Sequence, residues 1–217
     1  MSDRALYRWA AASLVLSAIT VTAGRILHPS SDAAGLSSPL WGPSHILWLT
    51  GLLTGMIGLT GLYLRQRREV AVLGFVGAAA AWMGMAFLSG AMYFEAIIEP
   101  GLVRLSPELA EPMAQLSGEE IRGFLIAFFV AVGLFGGGFL LFGIAMYKAA
   151  VMPKWAVVLF VTGSVVGGPQ GFLPVAVATL AFLTMGVGLA GLGAALWADP
   201  EASEPHPTAT PRVAEES

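Results

Sequence analysis

Cysteine is absent from the chain, which excludes disulfides, thiolate metal sites and thiol catalysis. Charge is scarce. Asp, Glu, Lys and Arg make up 12% of the 217 residues, about half of the roughly 25% usual in a soluble domain. No stripe of Lys and Arg exists and the net charge is −3, so nucleic acid is not an expected partner. Asp32 is the only aspartate away from the two ends of the chain, and no Ser–His–Asp set can be assembled. No histidine lies deep in an apolar run and none forms an H-x-x-x-H pair.

What remains is apolar. Hydrophobic residues are 56% of the chain and its mean hydropathy is +0.76. Runs near or above twenty apolar residues match the length that crosses a bilayer. The reading is an all-α integral membrane protein, a bundle of six transmembrane helices. The spans are 9–27, 44–64, 70–98, 118–147, 153–168 and 173–197, forming one helical domain over 1–198. The fourth opens on a capping box, Ser117 with Glu120, and the fifth on an N1-type proline, Pro153. The third is expected to stop at Glu99-Pro100. Residues 106–116, SPELAEPMAQL, read as a short surface helix between spans, and 199–217 as a disordered cytoplasmic tail with too few apolar groups to order.

Lys and Arg set the orientation. With the N-terminus inside, eight fall on the cytoplasmic side, including the RQRRE turn at 65–69, and three on the other side. The expectation is N-in, C-in. The first run also fits a signal peptide cleaved after Ala23, which would leave five spans. Because its apolar stretch continues to Leu27, an uncleaved helix is the better reading.

Two hairpins, around RQRRE and around MYKAAVMPKW, share a small residue, a Tyr, a basic turn and a Val/Leu-rich helix. The second carries a resemblance. Residues 142–160, FGIAMYKAAVMPKWAVVLF, resemble the helix–turn–helix of uncharacterised multi-pass membrane proteins of bacteria, in which an apolar helix and a basic residue precede Leu-Pro-Arg-Trp. Here the tetrapeptide is Met152-Pro153-Lys154-Trp155. The resemblance implies a bacterial helical bundle in the cytoplasmic membrane and no particular activity.

Glycine-rich motifs read as packing. GVGLAG (186–191) fits G-x-G-x-x-G but lies inside an apolar helix, without the strand a dinucleotide site needs. Gly51-x-x-x-Gly55 and Gly133-x-x-x-Gly137 are small-residue faces for internal packing or for a homo-oligomer or membrane-protein partner. Trp41, Trp48, Trp155 and Trp197 lie near span ends, as an interfacial belt would.

Six polar residues share the external ends of their spans: Arg25, His28, His45, Glu95, Glu99 and Gln170. Glu95 and Glu99 are one helical turn apart. Glu99 is expected to reach water at the helix end, with Glu95 a turn deeper and in need of a partner, His45 or Arg25. Gln170 sits in the Gly/Pro-rich break after the short fifth span, at the surface or at an internal site. Three readings fit the cluster. It is a structural network, a metal or haem site with His28 and His45 as ligands, or a pocket for a small ligand, lipid, quinone or proton-coupled substrate with Glu95 titrating. None requires catalysis, and the leading function is a non-enzymatic protein that binds a partner protein or a hydrophobic small ligand through this external face.

Overall fold

The computed structural model describes residues 3–115 and 122–198. Among these no strand occurs, and six long helices carry the fold. They are α1 (Asp3–Leu27), α2 (Trp41–Gln66), α3 (Ala71–Leu105), α4 (Arg122–Ala149), α5 (Lys154–Gly167) and α6 (Val175–Trp197). All but α5 are long and apolar enough to cross a membrane. At 14 residues α5 is shorter than the fifth expected span and extends only about 21 Å, against a hydrocarbon core of roughly 30 Å. The capping box at Ser117 and the tail after Ala198 lie outside the described residues.

The helices form a ring. Each packs on its sequence neighbour, and α6 closes on α1. Close approach is possible because glycines face the neighbours. A Cβ on Gly61 would overlap Ala10, one on Gly84 would meet the backbone of Phe135, and one on Gly188 the backbone of Phe160. The last belongs to GVGLAG, whose other glycines face Thr22 and the Trp155 ring. Gly51 and Gly55 point inward against Val21, Ser17 and Met85, whereas Gly133 and Gly137 have nothing within 4 Å of a built Cβ. Outward faces carry exposed apolar residues such as Ile57, Phe87, Val130 and Leu180, a surface suited to lipid and not to water.

Two alanines have positive φ, Ala71 (50°) at the start of α3 and Ala150 (54°) in the turn after α4. They belong to the two basic hairpins whose likeness is visible in the sequence. The segment between α1 and α2 holds a one-turn helix, Ala33–Leu36, capped by Asp32 through a 2.8 Å bond to the Gly35 amide. Backbone and Ser30 hydroxyl donors hold the Asp32 carboxyl below its usual range.

Helix α3 does not stop at Pro100. It widens into a π-turn over Phe94–Ile98, where the Glu99 amide bonds the Phe94 carbonyl, and continues to Leu105. Proline lacks the N–H that a regular helix would direct at Ala96, and its ring crowds that carbonyl. A wide turn just ahead of it is a local way to re-register the ladder. The continuation carries Val103 over a small outer core with Leu36, Trp41 and Ala110. Ala110 begins a short helix, Ala110–Gln115, in the segment expected to hold one.

Candidate functional site

The start of α2 and the far part of α3 are joined by two polar rungs. His45 Nε2 lies 2.9 Å from Glu95 Oε2, and the Trp41 indole N–H donates to Glu99 Oε2 at 2.9 Å. Each helix supplies residues four apart, Trp41/His45 and Glu95/Glu99, and the helices run antiparallel, so the pairs meet in register. The expected burial order is reversed. Glu99 is 7% exposed and the Glu95 side chain 22%. The cause is that α3 passes Pro100, and the small outer core around Trp41 and Val103 covers Glu99.

Hydrogen-bond chemistry constrains the inner rung. His45 Nδ1 lies 2.7 Å from the Trp41 carbonyl oxygen, an acceptor, so Nδ1 carries a hydrogen. Nε2 and the carboxylate oxygen can then bond only through one further proton, held by the imidazole or by Glu95. His45 is buried, and the pair is neutral overall in either form.

His28 sits over this pair. Its ring stacks on Trp48 at 4.8 Å between centroids and lies 5.0 Å from His45 and 5.1 Å from Trp41. Its Nδ1 donates to the Pro29 carbonyl at 2.6 Å. Burial, then the neighbouring His45, lowers its pKa to about 4, so the ring is neutral near pH 7. Arg25 does not partner Glu95. Its guanidinium donates to Thr179 Oγ1 (3.2 Å) and the Val175 carbonyl (3.4 Å), tying α1 to α6.

The metal reading requires a free nitrogen on each ring. His45 has none, with Nδ1 on the Trp41 carbonyl and Nε2 on Glu95, whereas on His28 only Nδ1 is taken, by the Pro29 carbonyl. Among the described residues no three His, Cys, Asp or Glu side chains converge to hold a metal ion. The arrangement does not fit His28 and His45 as a paired ligand set for haem or metal.

Beneath the cluster the ring encloses an apolar shaft. Trp48, Leu52, Leu62, Met85, Phe135 and Met185 are among its walls, and all six helices contribute. A water-sized molecule can place its centre anywhere within about 100 Å³ of it. Trp48 belongs to both features. It lines the shaft, stacks on His28, meets the His45 ring edge-on at 5.2 Å, and donates its indole N–H to the Val21 carbonyl at 3.1 Å. Gln170 also lines the shaft, from a 3₁₀ turn (Gln170–Phe172) after α5, and its Oε1 is buried without a hydrogen-bond partner.

Trp41 and Trp48 are therefore buried members of the cluster, while Trp155 and Trp197 are more than half exposed, as a belt requires. The signal was spacing. Trp41, His45 and Trp48 recur at i, i+4 and i+7, one helix face. Comparisons with protein-family models, curated proteins and solved structures returned no match to this chain.

Proposed function

We propose that this chain is a six-span protein of a bacterial inner membrane, N-in and C-in, that binds a hydrophobic small ligand in the shaft without transforming it. The observation that carries the reading is the shared wall at Trp48, which joins an apolar interior to a polar cluster at the ring's end. Apolar enclosure with a few convergent polar groups is the usual form of a small-ligand site. In this reading α5 crosses as a short span, and the non-helical turn at Gln170 is tolerated because protein covers it. A second reading, a proton-coupled transporter, draws support from the proton required between His45 and Glu95.

Two experiments test this. Leu52 lines the shaft, so Leu52→Trp should occupy its space. Lipid-like molecules that co-purify with the native protein, seen by native mass spectrometry, should then be lost. Equal retention in the variant, or no bound molecule in either, counts against ligand binding. For orientation, cysteines replacing the exposed Ser31 and Arg68 can be labelled without background. An impermeant thiol reagent should reach the first in intact cells and the second only after lysis. The reverse pattern would invert the topology.

A further inference from the structure

The dimensions and polar groups of the shaft narrow the ligand class. On α2 its walls run from Trp48 to Leu62, fourteen positions or about 21 Å of helix. An open volume of about 100 Å³ is small for walls of that length, which suits a slender methylene chain better than a rigid fused ring system.

The polar side chains along the walls are spent, with one exception among the described residues. Ser17 Oγ donates to the Gly51 carbonyl at 2.8 Å, Ser164 Oγ to the Phe160 carbonyl at 2.7 Å, and Trp48 to Val21. Gln170 Oε1 is left as a buried acceptor. Leaving such a group unmet is unfavourable, and a donor on the ligand would relieve it.

A way in is also visible. An apolar cleft of about 280 Å³ lies between α3 and α4, walled by Phe87, Phe94, Ala127 and Ala131 among others. Leu88 and Phe128 line both this cleft and the shaft, so their side chains form part of the wall between the two. The Gln170 turn adjoins the same region, since Phe172 stacks on Phe129 of α4 at 5.6 Å.

We propose that the ligand is a single-chain amphiphile with an O–H or N–H at its polar end. That donor sits on Gln170 Oε1, the chain runs inward along the shaft, and entry is sideways from the bilayer between Leu88 and Phe128. This rests on the ligand-binding reading above and adds chemical class, orientation and route.

Binding of three probes sharing one alkyl chain to the purified protein tests it: a linear primary alcohol, its methyl ether and the parent alkane. About sixteen carbons span the shaft, at roughly 1.3 Å each along a zigzag of 1.5 Å bonds. The alcohol should bind about tenfold more tightly than the ether, which offers no donor. Gln170→Met should keep chain binding and remove that preference. Leu88→Trp should slow association in lipid nanodiscs several-fold. Ether and alcohol binding equally to the native protein, or a preference surviving in Gln170→Met, would overturn the head-group assignment while leaving ligand binding intact. An unchanged association rate in Leu88→Trp would overturn the route. If none of the three probes binds, ligand binding itself fails and this inference with it.

Discussion

Helix α2 meets its two neighbours with different balances of close packing and polar pairing. Toward α1 it presents Gly51, Gly58 and Gly61, and the space above each is taken by Val21, Leu14 or Ala10. Toward the outer part of α3 it presents Trp41 and His45, which form the two rungs to Glu99 and Glu95. The first seam is chiefly steric, with hydrogen bonds from Ser17 to the Gly51 carbonyl and from Trp48 to the Val21 carbonyl beside the glycine contacts. Without a hydrophobic drive between helices in lipid, close packing supplies the attraction, and an added atom has nowhere to go. The second seam is chemical. Its geometry survives an exchange of atoms provided every donor still finds an acceptor.

The sharpest way to break the steric seam is Gly61→Leu, because the first added carbon already overlaps the Ala10 methyl group. The expected cost is about 3 kcal/mol or failure to fold, at the upper end of overpacking effects. Gly137→Leu is the control, since nothing lies within 4 Å of a Cβ there. Thermal unfolding in detergent should separate the two widely, and similar midpoints would show that the α1–α2 approach is loose.

The polar seam should respond to chemistry instead of volume. Glu95→Leu leaves His45 Nε2 buried without its partner, an expected loss of about 1–3 kcal/mol. Glu95→Gln should cost less than half of that, because the amide can donate to a neutral Nε2 without any shared proton. A double-mutant cycle of Glu95→Leu with His45→Phe should depart from additivity by about 0.5–3 kcal/mol, while the cycle with Arg25→Ala should be additive. Coupling to Arg25 and not to His45 would contradict the inner rung.

At the outer rung the comparison becomes finer. Glu99→Gln keeps an acceptor for the Trp41 indole, and Trp41→Phe removes the donor but keeps most of the ring. The tryptophan change leaves the buried Glu99 carboxyl without this donor and should cost about 1–3 kcal/mol, and the glutamate change less. The reverse order would mean that the indole bond contributes little there.

The membrane class, helix order and approximate bounds were legible because a long apolar run has one stable solution in lipid, a helix with its backbone bonds satisfied internally. The polar residues could be placed at one end of the spans for the same reason. Their pairing could not be read. A proline marks a helix stop on sequence grounds, and the π-turn ahead of Pro100 that carries α3 to Leu105 has no local code comparable to a cap. Removing that stop buried Glu99 instead of Glu95. Arg25 went to α6 because ring closure between the first and last helices is a long-range event, invisible in the spacing of either. Trp41 and Trp48 looked like belt residues by position, but their i, i+7 spacing with His45 between them carried the information.

The smallest expected effect concerns His28, which belongs to neither seam but lies over the rung between His45 and Glu95. Burial, then the neighbouring His45, lower its pKa from 6.5 to about 4 in the folded state. The sign follows from proton counting. Above about pH 6.5 neither folded nor unfolded His28 binds a proton, and its full contribution to stability is present. As pH falls from there toward about 4 the unfolded chain takes up a proton that the folded chain refuses, so stability declines, and the loss is complete once pH passes below the folded value. His28→Phe retains a ring over Trp48 and removes the titration. The native protein should therefore lose thermal stability more steeply than His28→Phe between pH 6.5 and 4, with the two running parallel from pH 7 to 8. The difference between the two slopes is the relevant measure, because His45, Glu95 and Glu99 are common to both proteins. Superimposable profiles across the acid range would mean that His28 is as free to protonate in the folded ring as in the unfolded chain, and the aromatic packing around it would then be open to water.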